Sequence, residues 1–159
     1  MEQKEGVIRV ERARPEETSL ALDLLRHLYR ELGEEAESIR FLDLDLMKRM
    51  MESGRTEILF ARDPDGKPVG ILTLTSCQSF YAGGEYGLID EMYVEPAHRS
   101  HSVGTALLEA AKRIARERGW SRLDVTGPTE ERWKRTIRFY ERSGFVFTGP
   151  KLKFALRGF

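Results

Sequence analysis

Ile8 and Val10 alternate with Arg9 and Glu11 across residues 7–12, the period of a strand with one buried face. Pro15 and the acidic pair Glu16 and Glu17 then suit the first turn of a helix. From there the spacing lengthens: Ala21, Leu24, Leu25, Leu28 and Leu32 form a 3.6-residue stripe that Gly33 ends. A shorter helical segment is expected over residues 41–51, stopped by Ser53 and Gly54. Two β-rich runs, 57–62 and 69–76, flank Asp63-Pro64-Asp65-Gly66-Lys67, where proline presets φ and glycine supplies a positive one, so the runs form a hairpin. A glycine-rich connection over 81–87 leads to an apolar strand at 88–94. Helical spacing returns from about 103 to 118, with Leu107, Leu108, Ala111, Ile114 and Ala115 on one face and Gly119 closing it. A short strand at 123–126 is broken by Gly127 and Pro128, and residues 130–143 are helical up to Gly144. Runs 145–148 and 152–156 are expected to pair across Gly149 and Pro150 as a last hairpin.

The order β-α-α-β-β-β-α-β-α-β-β predicts an α/β chain, mixed α+β in its layout. Its mixed sheet is antiparallel through the first half and has two crossover helices later. No repeat, linker or low-complexity segment interrupts residues 1–159, which are expected to form a single domain. No run approaches a membrane span, and the first residues contain no apolar leader core, so a cytoplasmic protein without a membrane partner is expected. Cys77 is the only cysteine, which excludes an internal disulfide and a thiolate metal cluster. The three histidines, His27, His98 and His101, have no H-x-x-x-H or H-E-x-x-H spacing, so no metal is expected. A net charge of zero gives no support for nucleic-acid binding. The distribution is uneven: residues 98–159 hold 14 Lys and Arg against 6 Asp and Glu, whereas residues 1–97 hold 12 against 20. One half suits an anionic ligand and the other tolerates a cationic one, although helix surfaces alone also produce such differences.

Chemistry concentrates where the strand at 88–94 runs through a basic loop into the helix at 103. Helix N-termini leave backbone donors unpaired, and a phosphate or pyrophosphate would satisfy them. Gly104 lets backbone approach such an anion closely, and Arg99 adds a fixed positive charge. Neither a Walker motif nor G-x-G-x-x-G is present. By itself, such a turn is as often only a turn.

Arg99-x-x-Ser102-x-Gly104, after Tyr93-Val94-Glu95-Pro96, resembles the signature loop of the GNAT superfamily of acyl-CoA-dependent N-acetyltransferases. The run from Trp133 through Phe139, Tyr140 and Arg142 to Gly144-Phe145 is similar to that family's later motif. The chain departs from the pattern at Ser102, where glycine is usual, and at Trp133 and Thr136, where Asn and Ala are frequent. If position 102 requires φ > 0, serine costs on the order of 1 kcal/mol, and its hydroxyl is free to contact phosphate or cap the helix.

The resemblance spans almost the whole chain and implies a GNAT-like central mixed sheet of six to seven strands flanked by about four helices. It implies acetyl-CoA as co-substrate, with Arg99, Ser100, His101, Ser102, Val103, Gly104 and Thr105 around the pyrophosphate. Strand backbone at Met92, Tyr93 and Val94 would then pair with the pantetheine amides, helped by a bulge there, and Arg142 would join the cofactor contacts.

Acyl transfer to an amine needs a base and a stabilised leaving sulfur. Glu91 is the candidate base, because an apolar strand penalises its charged form and raises its pKa toward working pH. Pairing with an arginine or capping a loop is its structural alternative. Asp90 is expected on the opposite face. Tyr140 is the candidate acid toward the sulfur, and packing on the Trp133–Ile137–Tyr140 stripe is its alternative. Tyr29, Phe80, Tyr81, Glu85 and Tyr86 fall where the family commonly frames its acceptor.

The expected reaction is acetyl transfer to a primary amine, first a small molecule and second a protein N-terminus or lysine, by direct attack in a ternary complex. A non-catalytic acyl-CoA-sensing module and a phosphate-binding domain unrelated to CoA stay open. Many members of the family dimerise, so a homodimer is among the assemblies the resemblance allows.

Overall fold

A computed structural model describes residues 6–33, 42–128, 131–149 and 151–156. Two compact units divide the chain, one through Asp124 and the other from Val125.

In the first unit, β1 (Arg9–Arg12), β2 (Thr56–Arg62), β3 (Pro68–Ser79) and β4 (Gly84–Val94) form an antiparallel meander in sequence order. β5 (Leu123–Val125) follows β4 as the last of five strands in the mixed sheet. The β2–β3 turn closes as the sequence predicts: Asp63 Oδ1 accepts from the backbone N–H of Asp65 at 3.0 Å and of Lys67 at 2.9 Å. β4 begins at Gly84, so residues 84–87 of the expected glycine-rich connection are strand. Gly87 is required there, because a Cβ would lie 2.4 Å from the Trp120 ring and 2.9 Å from Leu123.

Helices α1 (Thr18–Leu32) and α2 (Leu44–Glu52) cover one face of the sheet. Pro15–Glu17 form a 3₁₀ turn ahead of α1. Glu17, nearly buried, bonds the Arg14 backbone N–H at 2.9 Å and the Arg62 guanidinium at 2.6 Å, which ties the helix start to β2. Asp43 caps α2 by accepting from the Leu46 N–H at 2.7 Å. Phe41, expected to open this helix, lies outside the described residues. Ala21, Leu22, Leu24 and Leu25 of α1 and Met47 of α2 pack on Ile58, Phe60, Ile71 and Tyr93 of the sheet. These residues share a face because Ile71 stands opposite both Phe60 and Tyr93 in the ladders. On the other face, α3 (Val103–Glu117) buries Val103, Leu107, Leu108, Ala111 and Ile114, and its Val103 and Leu107 lie over Gly70.

The second unit holds α4 (Lys134–Arg142), entered through a 3₁₀ turn at Glu131–Trp133. The expected final hairpin is not formed. Among the described residues 145–149 and 151–156 there is no strand, and Val146, Phe147, Leu152, Phe154 and Leu156 are exposed. Among the described residues the sheet therefore has five strands in place of the six to seven expected, while four α-helices and the mixed α/β class stand. Alternating residues make a strand only where a neighbour completes the ladder. Among the described residues no helix is long and apolar enough to cross a membrane, and no group of His, Cys, Asp and Glu is arranged to hold a metal. Cys77 is a free, half-buried thiol.

Candidate active site

The candidate site begins with an irregularity in β4. Glu91 stands opposite Thr73, yet the next ladder pair is Ile89 with Leu74, so Asp90 is one residue too many on that strand. A bulge of this kind breaks the period of two. Ile89 goes with Leu74 to the α3 face, and Glu91 goes with Thr73 to the α1 face. Without the bulge the two residues would point the same way, and the carboxylate would have to share a face with buried Ile89. The bulge falls at Asp90, just before the Met92–Val94 stretch where it was expected. It also corrects the expectation for Asp90. Its carboxylate accepts from the Thr75 hydroxyl, and Thr75 and Thr73 are two apart on β3, so both acidic side chains lie on one face.

Glu91 is half-buried with both oxygens engaged. Oε1 accepts from the Tyr29 hydroxyl of α1 at 2.8 Å, and Oε2 accepts from the Thr73 hydroxyl. Thr73 Oγ1 in turn accepts from the Glu91 backbone N–H at 3.0 Å. Burial pushes the carboxyl above the ordinary glutamate range; the two hydroxyl bonds pull it back, and Asp90 adds to the rise. This matches the direction expected from the sequence. Each oxygen keeps a second acceptor position, since a carboxylate has about four.

At the β5 end of the sheet, Gly87 N–H bonds Arg122 O at 3.0 Å and Ser121 N–H bonds Glu85 O at 3.3 Å. Val94 O accepts from Arg99 Nε at 2.9 Å.

The turn after β4 enters α3 through two left-handed serines, Ser100 at φ 66° and Ser102 at φ 62°. Ser102 is the N-cap residue, but its side chain caps nothing. The first helical acceptor is Ser102 O, taken by Ala106 N–H at 2.9 Å, so the amides of Val103, Gly104 and Thr105 precede the intrahelical ladder. Left-handed residues ahead of a helix turn such amides inward, the arrangement that cradles anions. The residue types therefore fit a pyrophosphate. The departure from glycine has the consequence expected: serine sits in a conformation that costs about 1 kcal/mol, with no cap bond to offset it. Ser102→Gly is expected to raise the thermal midpoint by roughly 2–4 °C in scanning calorimetry. An unchanged or lower midpoint would mean that the hydroxyl has a compensating partner.

Arg99 is committed to other work than a free cation would be. Its guanidinium bonds Glu31 of α1 at 2.6 Å, Val94 O at 2.9 Å, and lies 5.5 Å from the Tyr93 ring centre. The bond to Glu31 raises its already high pKa. His27 Nδ1 pairs with Glu95 at 3.1 Å. Thus His27, Tyr29 and Glu31 of one helix reach Glu95, Glu91 and Arg99 around the end of β4. Sequence reasoning placed Tyr29 only as a frame for the acceptor and missed Thr73, Glu31 and Glu95. These pairs are separated by 18 to 68 residues, and nothing local signals them.

In the second unit, Tyr140 lies on α4 with ring centres of Phe139 at 5.5 Å and Phe145 at 5.6 Å. The motif spacing has a mechanical origin. Gly144 is left-handed at φ 93°; its N–H bonds Glu141 O at 3.0 Å, and Phe145 N–H bonds Tyr140 O at 3.1 Å. That is a Schellman cap, whose usual apolar contact joins the residue after the glycine to the one whose carbonyl it takes. The Gly-Phe pair thereby clamps the tyrosine ring. Burial pushes the Tyr140 phenol up to about 12. Arg142, at the helix end, is exposed.

The sequence pattern of the Acetyltransferase (GNAT) family matches residues 21–145, from α1 through the Schellman cap. The chain belongs to the GNAT family. This GNAT protein is an acyltransferase. It is 28% identical over 134 residues to glucosamine 6-phosphate N-acetyltransferase of Trypanosoma brucei brucei, which covers 82% of this chain and 84% of that one. Its fold is similar to that of an aminoglycoside acetyltransferase from an uncultured soil metagenomic sample, with a TM-score of 0.81, 22% identity, and 95% and 99% of the two chains covered. A ribosomal-protein-alanine N-acetyltransferase from Brucella melitensis biovar Abortus 2308 gives a TM-score of 0.71 at 20% identity, with 96% and 99% covered.

Proposed function

We propose that this GNAT protein transfers an acetyl group from acetyl-CoA to the primary amine of a small molecule, by direct attack in a ternary complex. The observation that carries this reading is the entry to α3: left-handed, uncapped, and inside the region the acetyltransferase family matches. Acetyl-CoA supplies a thioester whose acyl carbon an amine can attack. The amides of Val103, Gly104 and Thr105, with the turn of Arg99, Ser100, His101 and Ser102, would hold its pyrophosphate. Backbone at Met92, Tyr93 and Val94 would receive the pantetheine arm, and Arg142 would contribute a cation to the same ligand.

Glu91 takes the proton of the incoming ammonium, directly or through one water, so that the nitrogen lone pair forms the new C–N bond as the C–S bond breaks. Its carboxyl is poised for this because burial lifts it from the ordinary range toward neutrality without removing its acceptor sites. A phenol at about 12 keeps its proton throughout the physiological range. A thiol ionises near about 8.5, so complete transfer from Tyr140 to sulfur is uphill. Tyr140 therefore acts by donating a hydrogen bond to the departing sulfur, and solvent supplies the proton. Tyr140→Phe is expected to lower kcat by about 10²-fold with KM little changed. Undiminished kcat would remove Tyr140 from this role.

The relatives' names point to glucosamine 6-phosphate and aminoglycosides as acceptors of those proteins, alongside an alanine of a ribosomal protein. Amino sugars and aminoglycosides are therefore the first arm of an acceptor panel; peptide N-termini and lysine peptides are the second. Purified protein with acetyl-CoA is expected to release free thiol faster with a small-molecule amine than with buffer alone. Acceleration only by peptides would move the acceptor to proteins, and no acceleration by either arm would overturn the proposal.

A further inference from the structure

The Glu91 carboxylate is gripped from two directions. Tyr29 reaches it from α1, 62 residues earlier, at 2.8 Å, and Thr73 reaches it from the facing position on β3. Both are hydroxyl donors, each to a different oxygen. We propose that Tyr29 and Thr73 are positioning residues that hold the Glu91 carboxylate in one orientation, leaving one acceptor site on each oxygen for the proton of the amine. The inference rests on Glu91 being the base.

Three features of the geometry support a designed grip over incidental packing. Thr73 is buried, and its oxygen closes a loop by accepting from the Glu91 N–H, so its hydroxyl hydrogen is steered to the carboxylate. Tyr29 is partly buried against the α1–sheet core and arrives on a helix that Glu17–Arg62 and Glu31–Arg99 fasten at its two ends. The Asp90 bulge, finally, aims Glu91 at these two hydroxyls and away from the apolar α3 face.

Donors aimed at a carboxylate favour its charged form. They oppose the burial that raises Glu91 and the repulsion of Asp90, whose own carboxylate is held by Thr75. Also on α1 near this end of β4 are His27, hydrogen-bonded to Glu95, and Glu31, paired with Arg99. Deleting one hydroxyl should therefore let burial raise the base further and loosen its aim.

The test is the pH profile of kcat/KM for Tyr29→Phe and Thr73→Val, with Thr73→Ser as the conservative variant. Activity needs Glu91 ionised, so the acidic limb follows its pKa. Tyr29→Phe and Thr73→Val are expected to move that limb to higher pH by about one unit, the size of a lost hydrogen bond to a charged group. Their kcat should fall while KM stays close to that of the parent. Thr73→Ser should bring the limb back from the Thr73→Val position. A structural role alone would change thermal stability and leave the limb in place. The titration of the Glu91 side-chain carboxyl carbon, followed by ¹³C NMR, reads the grip without turnover and is expected to show the same displacement. If Tyr29→Phe leaves both the limb and the carbon midpoint unmoved, the grip is overturned, whether or not Thr73→Val folds. If the carbon midpoint moves but Glu91→Gln retains full activity, the base assignment fails and the positioning role with it.

Discussion

Replacing Glu91 by glutamine is expected to lower kcat/KM by about 10²- to 10⁴-fold, the range for loss of the general base we propose it to be. The amide matches the carboxylate in shape, and its oxygen still accepts from one hydroxyl, so the backbone has no reason to move. What disappears is an acceptor able to take a proton. The pH dependence separates this from a generic lesion. With Glu91 as the proposed base, the parent is expected to lose activity as pH falls through its raised pKa, where the carboxyl is protonated. The residual activity of the variant lacks that limb.

Stability moves the opposite way. A carboxyl whose pKa is higher folded than unfolded contributes stability below its unfolded pKa, and that contribution is lost as pH rises through the folded value. The parent should therefore lose some stability between the ordinary glutamate range and the raised one, and Glu91→Gln should not. Thermal melts of the two proteins across that window check the sign. A variant with parental kcat/KM at every pH would remove Glu91 from the chemistry.

Truncating Phe60 to alanine destabilises the protein by about 3–5 kcal/mol, the cost of deleting a buried ring and leaving a cavity. Phe60 is fully buried on the middle of β2, opposite Ile71, among Leu22, Leu25 and Met47 of the covering helices, with the Arg62 guanidinium 5.2 Å from its ring centre. For a chain of this length each kcal/mol corresponds to roughly 2–4 °C, so the thermal midpoint should fall by roughly 6–20 °C. The loss is expected to reach the site as well. Phe60, Ile71 and Tyr93 form a cross-strand row under α1, and α1 carries Tyr29 to Glu91. Calorimetry gives the first effect, and a reduced kcat at temperatures well below the transition gives the second. A midpoint within about 3 °C of the parent would show that this core relaxes to fill the space.

Local signals were legible wherever a few neighbouring residues decide the backbone. Pro64 and Gly66 made the β2–β3 turn readable, Gly33, Gly119 and Gly144 marked helix ends, and the apolar stripe of α3 appeared at its observed position. The left-handed requirement at Ser102 was open to conjecture because the residue type breaks a pattern, and its φ of 62° answers it. The raised Glu91 carboxyl was legible too, from a charge inside an apolar run. Less was readable wherever a partner distant in sequence makes the decision. The run 84–87 looks like a loop by composition, yet its ladder with residues 76–79 of β3, with Gly87 N–H also bonded to Arg122 O, makes it strand. The runs 145–148 and 152–156 look like strands by alternation, yet the described residues there form none.

Sequence by itself determined the family-bearing loop, the helix ends and the identity of the acidic residue on β4, because those depend on steric preference and on period within a short window. Only the tertiary structure decided which way that acid faces and what holds it. The extra residue at position 90 reverses the strand's parity, and a helix 62 residues away supplies the hydroxyl at its far side. A bulge costs one residue of register and leaves no mark in composition, and hydrogen bonds between distant segments exist only once the core under α1 has brought them together.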